Sequence, residues 1–88
     1  MQIDAGELFS SGLAKIFPEP RRAAMLHAMR LHVRLNGERI GVVIGERGER
    51  QFRVARFYVS RQVGYVRVFY EVAPGRIVLW HISRGNAD

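Results

Sequence analysis

The chain has no cysteine and a single lysine, Lys15. Without cysteine there is neither a disulfide framework nor a thiolate metal site, and the chain is compatible with a reducing compartment. No apolar run approaches the ~18–20 residues that a membrane-spanning helix needs. The N-terminus also lacks the basic start and apolar core of a signal peptide. The expected location is therefore cytoplasmic. Repeats, linkers and low-complexity segments are absent. The three histidines, His27, His32 and His81, share no His-x-x-x-His or His-Glu-x-x-His spacing, so no metal site is expected, and no cofactor is called for. The loosely spaced glycines of Gly41 to Gly48 are followed by neither a Walker lysine nor a helix, which excludes a phosphate loop. Gly41 instead reads as a bulge or a close backbone approach.

Acid is also scarce. Eight Asp and Glu face fourteen Lys and Arg, giving a net charge of +6. Because all but one of the cations are arginine, their planar forks suit phosphates or an acidic partner. At 88 residues with 48% apolar content, the chain has enough to build one small core, and residues 1–88 read as a single domain.

Two periodicities divide it. Asp4 with Glu7 fits a helix start, and Leu8, Phe9, Leu13, Ile16 and Phe17 recur at helical spacing up to Pro18. A second helix is expected from Pro20 to about Leu35, with Asn36-Gly37 as its cap. Ala24, Ala28, Leu31 and Leu35 form one stripe on it, with Met25, Met29 and His32 beside them. The short joint makes the two helices an antiparallel hairpin. From residue 38 the period becomes two. Strands are expected over Arg39 to Ile44, over Gln51 to Ser60, and in a hairpin from Tyr65 to Ser83 that turns at Ala73-Pro74-Gly75-Arg76. The turn sets a register with Val72 opposite Ile77, Tyr70 opposite Leu79 and Phe69 opposite Trp80. Alternation then gives one face Val68, Tyr70, Val72, Ile77, Leu79 and His81, and the other Arg67, Phe69, Glu71, Val78, Trp80 and Ile82. Met1 to Ile3 is either a very short strand or a frayed end. The predicted fold is α+β, a helical hairpin packed on one face of a roughly four-stranded antiparallel sheet.

On that fold, Arg53 and Arg61 share a strand parity and are expected to converge with Arg67 on the face away from the helices. Arginine among exposed rings is the pattern of RNA contact. Phe69 and Trp80 are equally candidates for a protein partner or a homodimer contact, since a second apolar face on so small a chain implies a partner. His81 is a candidate proton-transfer group.

Gly64-Tyr65-Val66-Arg67-Val68-Phe69-Tyr70-Glu71-Val72, a turn, and then Ile77-Val78-Leu79-Trp80-His81-Ile82-Ser83-Arg84-Gly85 resemble the C-terminal half of the RelE/ParE toxin superfamily. The resemblance covers about residues 60–85 and is architectural before that. It implies the toxin of a type II toxin–antitoxin pair, held inactive by an acidic antitoxin. RelE-like members are ribosome-dependent mRNA endoribonucleases, whereas ParE-like members inhibit DNA gyrase without cutting RNA. Arg67 takes the place of the sheet arginine that contacts the reacting phosphate in the nucleases, with Arg53, Arg56, Arg61, Trp80 and Arg84 as RNA-holding candidates. Two departures keep gyrase inhibition open beside RNA cleavage. The family's lysine positions fall near Phe57 and Val59, and the nucleases' tail Arg and Tyr have no counterpart before Asp88. A non-catalytic binding module is the reading from a different class.

Overall fold

The computed structural model describes residues 2–36 and 40–84. The expected Gly37 cap, the start of a strand at Arg39 and the tail from Gly85 lie outside them. The chain runs β1 (Gln2–Ala5), α1 (Glu7–Ile16), α2 (Glu19–Asn36), β2 (Val42–Arg47), β3 (Arg50–Ser60), β4 (Gly64–Ala73) and β5 (Arg76–Arg84). The architecture is α+β, with two helices against one mixed sheet of five strands in the order β1-β5-β4-β3-β2.

The fifth strand corrects the four expected. β1 lies parallel to β5, pairing Gln2 with Arg76 and Ala5 with Leu79. Its four residues are too few to show a period. It is a strand because its backbone is bonded at both ends, from Gln2 N to Gly75 O at 3.1 Å and from Gly6 N to Leu79 O at 2.9 Å. Asp4 is consequently not a helix cap. Gly6 holds that position without a side-chain bond, and Asp4 accepts from Arg76 Nε at 2.9 Å.

Phe9, Leu13 and Phe17 of α1 enter the core as the helical spacing predicts, while Leu8 stands exposed. Gly12 sits where α1 crosses β5. A Cβ there would lie 2.7 Å from the Ile82 carbonyl oxygen, so glycine lets the helix rest on the strand's backbone. Arg22 closes the helical hairpin by donating to the last carbonyls of α1, from Nε to Phe17 O at 2.9 Å and from Nη2 to Ala14 O at 3.2 Å. On α2 the buried positions are Met29 and Val33, with Met25 and Leu26 packed beside them. Ala24, Ala28 and Leu31 of the expected stripe face solvent. The covered stripe is rotated because Met fills a helix–sheet gap better than Ala.

The β4–β5 hairpin turns where expected and pairs Val72 with Ile77 and Tyr70 with Leu79. Beyond that the register slips. Phe69 pairs with His81, not Trp80, and Val68 pairs with Ile82. Trp80 is the extra residue of a β-bulge. The bulge exchanges the two residues that follow it. Ile82 turns into the helix-covered core with Val66, Val68, Tyr70, Val72, Ile77 and Leu79, and His81 turns out of it.

Candidate functional site

The face of the sheet without helices carries the chemistry. Register fixes its membership, because residues paired across a ladder share a face. Arg56 pairs with Arg67, Tyr58 with Tyr65, and Val54 with Phe69. Phe69 in turn pairs with His81, and Arg67 with Ser83. The result is a tract across β3, β4 and β5 that holds two guanidiniums, three carbocyclic rings and one imidazole.

The rings and cations are in contact. Tyr58 and Tyr65 meet edge to face with centroids 5.4 Å apart. The Arg56 guanidinium lies over the Tyr65 ring, 4.4 Å from its centroid. Phe69 and His81 meet at 5.6 Å. Both tyrosines are exposed, Arg56 and His81 are exposed, and Arg67 and Phe69 are half-buried.

Two arginines directly opposite each other repel, at a local cost of about 0.2–1 kcal/mol relative to a neutral pair. That repulsion becomes attraction for an anion lying between them, since each guanidinium can grip a phosphate bidentately. His81 is the diagonal neighbour of Arg67 across β4 and β5, about 7–8 Å away along the ladder. It can therefore reach a group held on Arg67.

The remaining candidates sort differently from expectation. Arg53 does not join this face. It pairs with Tyr70 and is only 8% exposed on the helix side. Its Nε and Nη2 donate to Ile40 O at 3.1 and 3.0 Å, and Tyr70 Oη donates to the same oxygen at 3.0 Å. Nη1 donates to Gln51 Oε1 at 3.0 Å. Arg53 is thus a clamp on the chain entering β2. Parity gave its alternation but not which side the helices cover. Tyr70 holds its phenolic proton above the ordinary tyrosine range, chiefly through burial, with Arg53 opposing.

Arg61 lies exposed in the β3–β4 turn, away from the Arg56–Arg67 pair. Arg84 is committed to the same turn, donating from Nη2 to Gln62 O at 3.2 Å and to Val63 O at 3.0 Å. Trp80 is 47% exposed at the middle of β5, next to His81. With Gly6, Glu7, Leu8 and Val78 it lines a shallow, almost wholly apolar cavity of about 190 Å³. Phe69 therefore lies against His81, and the neighbouring Trp80 lies against Leu8.

The tyrosine pair is what the sequence reading left out of the site. The signal was present in Tyr58 and Tyr65, which end and begin two strands joined by a short turn. Among the described residues, no group of three or more His, Cys, Asp or Glu could hold a metal ion, and no helix is long and apolar enough to cross a membrane. Searches of protein-family models, curated proteins and solved structures find no match to this chain.

Proposed function

We propose that the chain is a RelE/ParE-like toxin of a type II toxin–antitoxin pair that acts on RNA through the helix-free face of its sheet. The observation that carries the reading is the Arg56–Arg67 pair standing beside Tyr58 and Tyr65. Paired cations flanked by exposed rings suit single-stranded RNA, whose phosphates bind arginine and whose unstacked bases stack on aromatic faces. The net charge of +6 and the hairpin residues from Gly64 to Arg84 support the same reading. An acidic antitoxin would complement that charge.

In this reading the roles divide along the face. Arg67 stabilises charge on the phosphate as a ribose 2′-oxygen attacks it. Arg56 and the tyrosines hold the strand, and His81 exchanges a proton with the reacting or leaving oxygen. The RNA would be messenger RNA on the ribosome. Arg53 and Arg84 are removed from the RNA-holding set, because their donors are occupied by backbone carbonyls.

A second reading rests on a separate observation. Exposed Leu8 and Trp80 meet where the start of α1 passes β5, which suits a protein-binding module or a ParE-like gyrase inhibitor. Induced expression in bacteria separates the two. Growth arrest with rapid loss of protein synthesis, relieved by Arg67→Ala and not by Trp80→Ala, supports action on RNA. Arrest that survives Arg67→Ala, or arrest with translation intact and DNA damage induced, contradicts it.

A further inference from the structure

Among the described residues, one edge of the sheet is guarded only at its far end, by Glu46 and Arg47. β2 is bonded only to β3, so among the described residues its outer side has no strand partner. Val42, Val43 and Ile44 on it are 65%, 39% and 57% exposed. Sheet edges are ordinarily blunted by charged side chains, proline or bulges, and residues 42–44 of β2 carry neither charge nor proline, the charges Glu46 and Arg47 lying beyond them. Its one irregularity is a bulge between Val43 and Gly45, which bends the strand yet leaves all three apolar side chains in water. The opposite edge differs. β1 is only four residues long and carries a charge, Asp4, which pairs with Arg76 of β5.

Two features identify what covers β2. The three apolar residues are consecutive, so they stand on both faces of the sheet, and a covering strand must be apolar on both faces as well. β2 itself has that property. The charges beside it, Glu46, Arg47, Glu49 and Arg50, also balance, so two such edges meet without local repulsion although the whole chain carries +6.

We propose that the occupant is a second copy of this chain, and that two β2 strands pair antiparallel to form a twofold dimer with one continuous ten-stranded sheet. Such contacts are self-complementary. The twofold axis that relates antiparallel neighbours within one sheet stands normal to it. The four helices of the dimer therefore lie on one side, and both helix-free faces lie on the other, as a single basic surface. This dimer does not use the Leu8–Trp80 cluster and does not depend on the RNA reading, because its test contains no RNA.

Sedimentation equilibrium of the full chain over a range of concentrations, with hydrogen exchange of the β2 amides, tests it. Wild type should pass from monomer to dimer as concentration rises, with β2 amides protected only in the dimer. Ile44→Lys and Val42→Lys alter exposed side chains and should keep the native circular dichroism while weakening dimerisation at least about tenfold. Trp80→Ala should dimerise like wild type. A wild-type protein that stays monomeric up to about 1 mM, or a dimer abolished by Trp80→Ala and indifferent to Ile44→Lys, overturns the proposal.

Discussion

β4 and β5 supply both faces of the sheet, and the two faces obey different rules. Toward the helices they present Val66, Val68, Tyr70, Val72, Ile77, Leu79 and Ile82, all buried. Away from them they present Arg67, Phe69, Val78, Trp80 and His81, which are half-buried or exposed. The covered face is held by volume, since each side chain fills space that no neighbour can take. The uncovered face sets two like charges opposite each other, Arg56 and Arg67, an arrangement that packing does not require. One face therefore supplies the folding free energy and the other supplies chemistry. Mutations should separate them.

The largest effects belong to the covered face and to the close backbone approach at the entry to β2. Leu79→Ala should destabilise by about 2–5 kcal/mol, by lost burial and a residual cavity, as read by urea denaturation. Gly41→Ala should cost about 3 kcal/mol or more. Gly41 has φ +74°, and an added Cβ would meet the Val54 carbonyl oxygen at 2.3 Å, so strain and overlap combine. Gly48→Ala is the control. Its φ is +61° with nothing within 4 Å, so it should cost only the strain, about 1–2 kcal/mol. Equal losses at the two positions would remove the close approach as an explanation.

The uncovered face should respond in binding instead. Arg67→Ala and Arg56→Ala should each weaken binding of a single-stranded RNA about tenfold, or 1.4 kcal/mol. Each should move the unfolding midpoint only slightly, by less than about 1 kcal/mol, because the relieved repulsion is offset by lost contacts such as that of Arg56 with the Tyr65 ring. Arg53→Ala inverts that pattern. It should lower stability by about 1–3 kcal/mol, because the Ile40 carbonyl loses two buried donors, with little direct effect on RNA.

The smallest effect lies at the β1 edge. The Asp4 carboxyl is held below its ordinary range, first by the donated Gln2 amide, which outweighs the opposing effect of burial, and then by the Arg76 guanidinium. A lowered folded-state value means that its stabilisation is present above the ordinary carboxylate pKa and is lost as pH falls through the lowered one. Asp4→Asn should therefore bring the neutral-pH stability slightly toward the acid-pH value and change little below it. A larger loss at acid pH than at neutral pH would contradict the assignment.

The elements that could be read from sequence were those with local signals. Ala73-Pro74-Gly75-Arg76 fixed a turn, and the turn carried the register correctly as far as Leu79. It failed at Trp80, because no local pattern marks an extra residue. A bulge there is decided by Ile82 needing to enter the core beneath Gly12. Arg53 was misplaced for a related reason. A strand's alternation states which residues share a side, but only the tertiary arrangement states which side the helices cover. For β1 the sequence left a very short strand and a frayed end both open over Met1 to Ile3, because its four residues acquire their structure from β5. Of the site, Arg67, His81 and Arg56 were found as separate candidates. Their convergence with Tyr58 and Tyr65 came from the β3–β4 register.

The most direct test of the central claim is the salt dependence of single-stranded RNA binding, measured by fluorescence anisotropy for wild type and for the Arg56→Ala/Arg67→Ala double variant. Wild type should bind, with log K falling linearly as log salt rises. The double variant, folded to the same extent, should bind at least about a hundredfold more weakly, with a slope shallower by about 1.4, the counterions of two phosphate contacts. Equal affinity and equal slope in the two proteins would contradict the account, because the helix-free face would then not be where RNA is held.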